Sequence, residues 1–179
     1  MKKLLIVIDY QNDFVNGSLG STFAQNIEDN IYNKVKNYLD QGIRVVFTKD
    51  THYDEHYMET REGKYLPVMH CIKGTEGHKL YGKLVEFENN DDVEIYDKES
   101  FGAKNLSSII DGEYDEIEFC GVATNICVIS NAIIAQTVKP NAEIIIDASC
   151  CASFDPKLHN YALDVMEGLQ MQIINKDEN

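Results

Sequence analysis

Three observations in this 179-residue chain predict a three-layer α/β/α fold built on a doubly wound, mostly parallel sheet of about six strands. Short β-rich runs alternate with helical patterns along the chain, the order that parallel strands joined by crossover helices produce. Runs such as Leu4-Leu5-Ile6-Val7-Ile8 and Ile144-Ile145-Ile146 are apolar without alternation, so helices should cover both of their faces. Polar residues stand immediately after several of these runs, where an open parallel sheet binds its ligands.

Taken in order, residues 3–9 read as the first strand and 24–40 as a helix whose apolar face carries Ile27, Ile31, Val35, Tyr38 and Leu39 and which stops at Gly42. Strands follow at 44–48, 92–96, 116–122 and 143–147. A last helix carries Leu158, Ala162, Val165 and Met166 and ends near Gly168. Both helical stripes are expected to be core. Residues 51–85 are the exception, a connection rich in His, Tyr, Glu, Gly and Lys that is longer than an ordinary crossover and reads as a site-building loop with a short helix. One domain over 1–179 is expected, since this length and 44% hydrophobic residues support a single sizeable core.

Sixteen Lys and Arg against 30 Asp and Glu leave a net charge of −14, which repels phosphate backbones, so nucleic acid is not expected as a partner. No apolar run is long enough to cross a bilayer, and the Met1-Lys2-Lys3 start lacks the pattern of a secretory signal; a cytoplasmic protein without a membrane partner is expected. Five cysteines with no Cys-x-x-Cys pair read as reduced thiols.

Asp9, Asp50, Lys98 and Cys127 each follow an apolar strand, so four strand ends can converge on one rim. Cys127 falls where a strand hands over to a helix, and a helix N-terminus favours thiolate over thiol. A cysteine nucleophile needs a group that takes and returns its proton; a carboxylate beside a lysine can hold one while the ammonium stabilises developing negative charge. Asp9, Lys98 and Cys127 supply these three roles.

Four motifs occur in order: Val7-Ile8-Asp9-Tyr10-Gln11-Asn12-Asp13-Phe14, Thr48-Lys49-Asp50-Thr51-His52, Lys98-Glu99-Ser100-Phe101 and Gly121-Val122-Ala123-Thr124-Asn125-Ile126-Cys127-Val128, with His70-Cys71-Ile72-Lys73-Gly74-Thr75-Glu76-Gly77 between the second and third. In these the chain resembles the isochorismatase-like cysteine hydrolases, the superfamily that includes nicotinamidases. The resemblance implies that fold, a catalytic triad of Asp9, Lys98 and Cys127, a cis Val122–Ala123 peptide, and an oxyanion hole from the N–H groups of Ala123 and Cys127. It also implies a divalent metal (Zn, Fe or Mn) on Asp50, His52 and His70, with His56 or Glu62 as a further ligand, no organic cofactor, and a homo-oligomer. Phe14, Tyr65 and Phe101 match positions expected to line the substrate pocket.

Within the superfamily, enzymes that cleave the vinyl ether of isochorismate lack the cysteine, so Cys127 points to a small amide cleaved through a thioester with loss of ammonia, nicotinamide first. Another small amide or an N-carbamoyl compound is the alternative, because the segment Tyr65-Leu66-Pro67-Val68-Met69 departs from the usual ring-stacking residue and the chain has no Trp. A non-catalytic scaffold of the same fold is the third reading.

Overall fold

The computed structural model describes residues 1–176. Six strands form one sheet: β1 (Lys3–Ile8), β2 (Arg44–Asp50), β3 (Val93–Lys98), β4 (Glu116–Val122), β5 (Glu143–Ala152) and β6 (Gln172–Ile174). They lie in the order β3-β2-β1-β4-β5-β6 with every neighbouring pair parallel, so the sheet is wholly rather than mostly parallel. The helices are α1 (Asn12–Val15), α2 (Thr22–Asn26), α3 (Glu28–Asp40), α4 (Arg61–Tyr65), α5 (Leu106–Ile109), α6 (Ile129–Val138) and α7 (Pro156–Gly168). The order of strands and the right-handed rule for crossovers put α3 on one face and α5, α6 and α7 on the other.

The centre of the sheet is dry. Leu4 to Ile8 have no solvent exposure, and neither do Val45, Val46, Phe47, Ile117 and Phe119 on the flanking strands. Uninterrupted apolar strands are therefore sandwiched as their sequences require. One polar tie crosses this core: the Lys34 ammonium of α3 meets Glu118 on β4 and Asp147 on β5 (2.7 Å to the latter), and the Tyr38 hydroxyl donates to Glu118. Gly121 permits a close approach between β1 and β4. Its φ is +111° and a Cβ there would overlap the backbone of Ile8.

Several boundaries differ from expectation. The helix expected over 24–40 is two, because Ile27 takes a non-helical φ, ψ of −97°, 1° between them, while the Ser21 side chain caps α2 by accepting from the Ala24 N–H. β5 runs to Ala152 rather than ending at 147, so Cys150 and Cys151 lie within the strand. β6 carries too short a pattern to be seen in sequence. On α7, Leu158 and Val165 were expected in the core but are 44% and 52% exposed; Ala162, Leu163 and Met166 hold the helix to the sheet instead.

A candidate active site at the sheet's switch point

β1 leads to β2 on one side while β4 sits on its other side, so the chain reverses direction between β1 and β4 and leaves a crevice at their carboxyl ends. Asp9 follows β1 there with a left-handed φ of +48°, and Cys127 sits in a wide helical turn, Thr124–Val128, that leads from β4 into α6. The Val122–Ala123 peptide before that turn is cis, as the resemblance implied. Lys98 ends β3, two strands away, in register with Asp50 at the end of β2. Its long side chain reaches past Asp50 into the crevice, so the three residues meet although their strands are not all neighbours.

The contacts are short and buried. The Lys98 ammonium lies 2.6 Å from Asp9 Oδ2, 3.2 Å from Asp50 Oδ1, 3.6 Å from Cys127 Sγ, and donates to the Ser100 carbonyl at 3.0 Å. Asp9 Oδ1 accepts from the Thr48 hydroxyl at 2.7 Å. Asp9 Oδ2, fully buried, makes its ion contact with Lys98 but has no aligned hydrogen bond, and the Cys127 thiol faces the same carboxylate. A lone pair is thus left for the thiol proton.

Electrostatics correct one expectation. Burial pushes the Cys127 thiol well above its ordinary range and Lys98 only partly opposes it, so the resting group is a thiol, not a standing thiolate. Burial likewise raises the Asp9 carboxyl against the pull of Lys98. For Lys98 burial acts to lower the ammonium, but the Asp9 and Asp50 carboxylates beside it outweigh that and hold it charged. The Asp9 carboxyl and the Cys127 thiol thus face each other beside a fixed positive charge, an arrangement in which the carboxylate takes the thiol proton as sulfur attacks.

Asp50 joins this group to a second one. Its Oδ1 faces Lys98, while Oδ2 lies 2.9 Å from His52 Nε2 and 3.5 Å from His70 Nε2; Glu62 approaches the same His70 nitrogen at 3.5 Å. One ligand atom from each of Asp50, His52, Glu62 and His70 lies within 4.8 Å of the others. The donor set fits a divalent metal: two imidazoles and two carboxylates suit Zn, Fe or Mn. The His70 Nδ1 bond to the Val68 carbonyl (2.8 Å) leaves Nε2 directed at the cluster. Burial would lower His70, yet Asp50 and Glu62 lift it to about 10; its imidazoles and Lys98 likewise hold the Asp50 carboxyl far below the usual range despite burial. These carboxylates surround a place that demands positive charge. His56 is not part of it: its side chain is 70% exposed beside Glu55 and Glu59, so of the two further ligands considered only Glu62 is in place.

The first motif builds this corner as well as supplying Asp9. Fully buried Gln11 accepts from the Asp50 N–H (2.7 Å) and donates to the Asp50 and His78 carbonyls, gripping the Asp50 backbone as a neighbouring strand would. Asp13 accepts from the Cys71 N–H (2.8 Å), and the His52 N–H donates to the Cys71 carbonyl, which brings His70 beside His52. Tyr57 packs edge-on against both imidazoles. Sequence reading assigned none of Gln11, Asp13 or Tyr57 to the site; the signal for the first two was their place within the Asp9 motif.

A cavity of about 150 Å³ opens over Cys127, lined among others by Phe14, Phe101, Ala123, Ile126, His70 and Phe154. A cavity of about that size admits a single benzene-like ring. Phe14 sits 5.4 Å from the His70 ring and 6.5 Å from Phe154, the latter an aromatic wall that sequence reading missed. Tyr65 also lines this cavity, at its outer edge: it is 80% exposed, and its ring lies against the Arg61 guanidinium.

Fold and site define the class of an α/β hydrolase with a cysteine at the sheet's switch point. Within that class the chain belongs to the isochorismatase domain family, whose model matches residues 3–178. It is 35% identical over 176 residues to the isochorismatase family protein PncA of Bacillus subtilis, an alignment covering 91% of this chain and 93% of that one. The crystal structure of nicotinamidase/pyrazinamidase PncA from Bacillus subtilis superposes with a TM-score of 0.85 at 32% identity, covering 97% and 99% of the two chains. That of the pyrazinamidase/nicotinamidase from Streptococcus mutans gives 0.86 at 34%, covering 97% and 100%. No helix among the described residues is long and apolar enough to cross a membrane.

Proposed function

We propose that this chain is a nicotinamidase: it hydrolyses the carboxamide of nicotinamide to nicotinate and ammonia through a thioester on Cys127. The observation that carries this reading is the meeting of Asp9, Lys98 and Cys127 at the floor of a cavity sized for one aromatic ring, in a chain similar over nearly its whole length to structures titled nicotinamidase/pyrazinamidase.

Cys127 Sγ attacks the carboxamide carbon as its proton passes to Asp9. The carbonyl oxygen becomes an oxyanion, which the N–H groups of Ala123 and Cys127 receive; one such donor contributes about 3–4 kcal/mol to lowering the barrier. Asp9 then protonates the leaving nitrogen, the C–N bond breaks, ammonia departs and the acyl group remains as a thioester. A water molecule gives its proton to Asp9 and its oxygen to the acyl carbon, the C–S bond breaks, and the thiol is restored. Throughout, Lys98 keeps its charge beside Asp9 and limits the cost of burying each anion. Phe14 and Phe154 flank the substrate ring, and Phe101 borders its carboxamide end. A divalent metal, which Asp50, His52, Glu62 and His70 would hold, would supply a Lewis-acid site for a ring nitrogen.

The aromatic walls favour a flat ring over an N-carbamoyl compound. Ammonia release from nicotinamide and pyrazinamide, measured for wild type and Cys127→Ala with metal content determined on the same samples, tests the assignment. Release by wild type and none by the variant is expected; a folded, metal-loaded wild type that releases ammonia only from non-aromatic amides overturns it, and one inert on every amide returns the protein to the scaffold reading.

A further inference from the structure

We propose that Asn131 is a positioning residue for the thiol reaction, holding the backbone of Cys127 and the segment 100–103 beyond Lys98 in one register; the inference rests on the proposed reaction and not on which amide it cleaves. Asn131 stands on α6 one turn past Cys127 and has no solvent exposure, the one buried asparagine among the described residues. Asparagine is a poor helix former, and its amide is costly in a dry helix unless its polar atoms are bonded. Here they are. Its Nδ2 donates to the Cys127 carbonyl at 2.7 Å and to the Phe101 carbonyl at 3.0 Å, and its Oδ1 accepts from the Ala103 N–H at 2.8 Å. Carbonyls only accept and the N–H only donates, so these partners fix which way the amide points.

Both ends of this bridge belong to the site. The turn Thr124–Val128 is wide, with the Val128 N–H reaching back to the Ala123 carbonyl at 3.1 Å, a spacing that α6 does not continue. Where the turn gives way to α6, side chains one turn on bond its carbonyls: Ser130 bonds that of Ile126 at 2.6 Å, and Asn131 that of Cys127. The Cys127 backbone mounts both the sulfur and the proposed oxyanion N–H, so its tilt sets both. On the other side, Lys98 ends the edge strand β3, and β2 and β1 separate it from β4, so no sheet hydrogen bond ties Lys98 to the cysteine turn. The segment after it does so instead. Lys98 donates to the Ser100 carbonyl, Phe101 lines the cavity, and Gly102 lies so close to α6 that a Cβ there would come within 2.6 Å of Ile134 Cδ1. Asn131 bonds this segment at Phe101 and Ala103 and joins it to Cys127 through a single side chain.

Steady-state kinetics of ammonia release, on whichever small amide the wild type hydrolyses, test it alongside thermal melts. Asn131→Ala removes every one of these bonds; it should lower kcat about 100-fold and raise KM at temperatures where circular dichroism shows it folded, since misplacing a reacting group by about 1 Å costs that much. Asn131→Thr separates the two ties. Its hydroxyl can bond the Cys127 carbonyl as Ser130 bonds that of Ile126, but it lacks the atoms that meet Phe101 and Ala103. It should recover kcat at least about 10-fold over Asn131→Ala while KM stays raised. Asn131→Asp keeps the shape but sets an oxygen against two carbonyls, and should lose kcat as Asn131→Ala does; where Asn131→Ala fails to fold, the other two variants carry the test. Folded variants that lose thermal stability but keep wild-type kcat and KM overturn the proposal, as does an Asn131→Thr no faster than Asn131→Ala. A wild type inert on every amide overturns the proposed reaction and this inference together, whereas an active wild type with unchanged variants overturns the inference alone.

Discussion

Replacing Lys98 by methionine keeps the length of the side chain and removes the charge on which the buried site depends. The ammonium lies 2.6 Å from Asp9 Oδ2 and 3.2 Å from Asp50 Oδ1, with almost no solvent around any of the three side chains. Taking one partner from a buried ion pair costs about 3–5 kcal/mol, because the charge left behind keeps its desolvation penalty. At about 2–4 °C per kcal/mol for a protein of this size, the thermal midpoint near neutral pH should fall by about 6–20 °C. The pH dependence has a definite sign. Burial already raises Asp9 above its unfolded value of about 3.9, and loss of Lys98 raises it further. The folded variant then holds a proton that the unfolded chain releases, so stability is present at low pH and lost as pH rises through the folded pKa. The deficit relative to wild type should therefore shrink as pH falls toward the unfolded value of about 3.9, and Lys98→Met with Asp9→Asn should recover part of the lost stability without activity. Scanning calorimetry on the three proteins at several pH values decides it. A Lys98→Met midpoint within about 2 °C of wild type, or a deficit independent of pH, refutes the charge-pair account.

The metal cluster predicts that Glu62→Gln lowers metal affinity at least about 10-fold while His56→Ala leaves it unchanged, measurable by titration calorimetry on metal-stripped protein; equal effects would mean that the cluster is misassigned. Cys127, buried and raised, should label with iodoacetamide slowly near neutral pH and faster as pH rises, in mass-mapped time courses. Asp147, held below the usual carboxylate range against burial by Lys34, Ser149 and Asn175, contributes stability that is present above its unfolded pKa and lost as pH falls through its folded one. Asp147→Asn should therefore flatten the acid limb of a denaturation curve and destabilise the protein at neutral pH. Phe154→Ala should raise KM for an aromatic amide about 10-fold with a smaller change in kcat, since it removes ring contacts shared by ground and transition states.

The pattern of this chain was legible wherever local chemistry settles the matter. Apolar runs such as Leu4 to Ile8 could only be covered strands, and polar residues at their ends could only meet at the crevice of an open parallel sheet. So Asp9, Asp50, Lys98 and Cys127 could be placed on one rim in advance, whereas His52 and His70 were named only through the family resemblance. Where contacts join residues far apart in the chain, sequence was silent or misleading. Phe154 follows β5 yet faces Phe14, and His56 shares the loop of Glu62 without reaching the cluster. Leu158 and Val165 obey the helical period of a core stripe, but period alone does not say which side of a helix meets its own sheet.

The sequence by itself determined the order of the first five strands, the acidic charge and the inventory of reactive groups, because periodicity, charge and side-chain chemistry are local properties. Only the tertiary structure decided which of those groups share a proton. Asp50 faces Lys98 with one oxygen and two imidazoles with the other, and burial pushes the Cys127 thiol up against the pull of Lys98; both depend on burial and distance, which no linear spacing encodes.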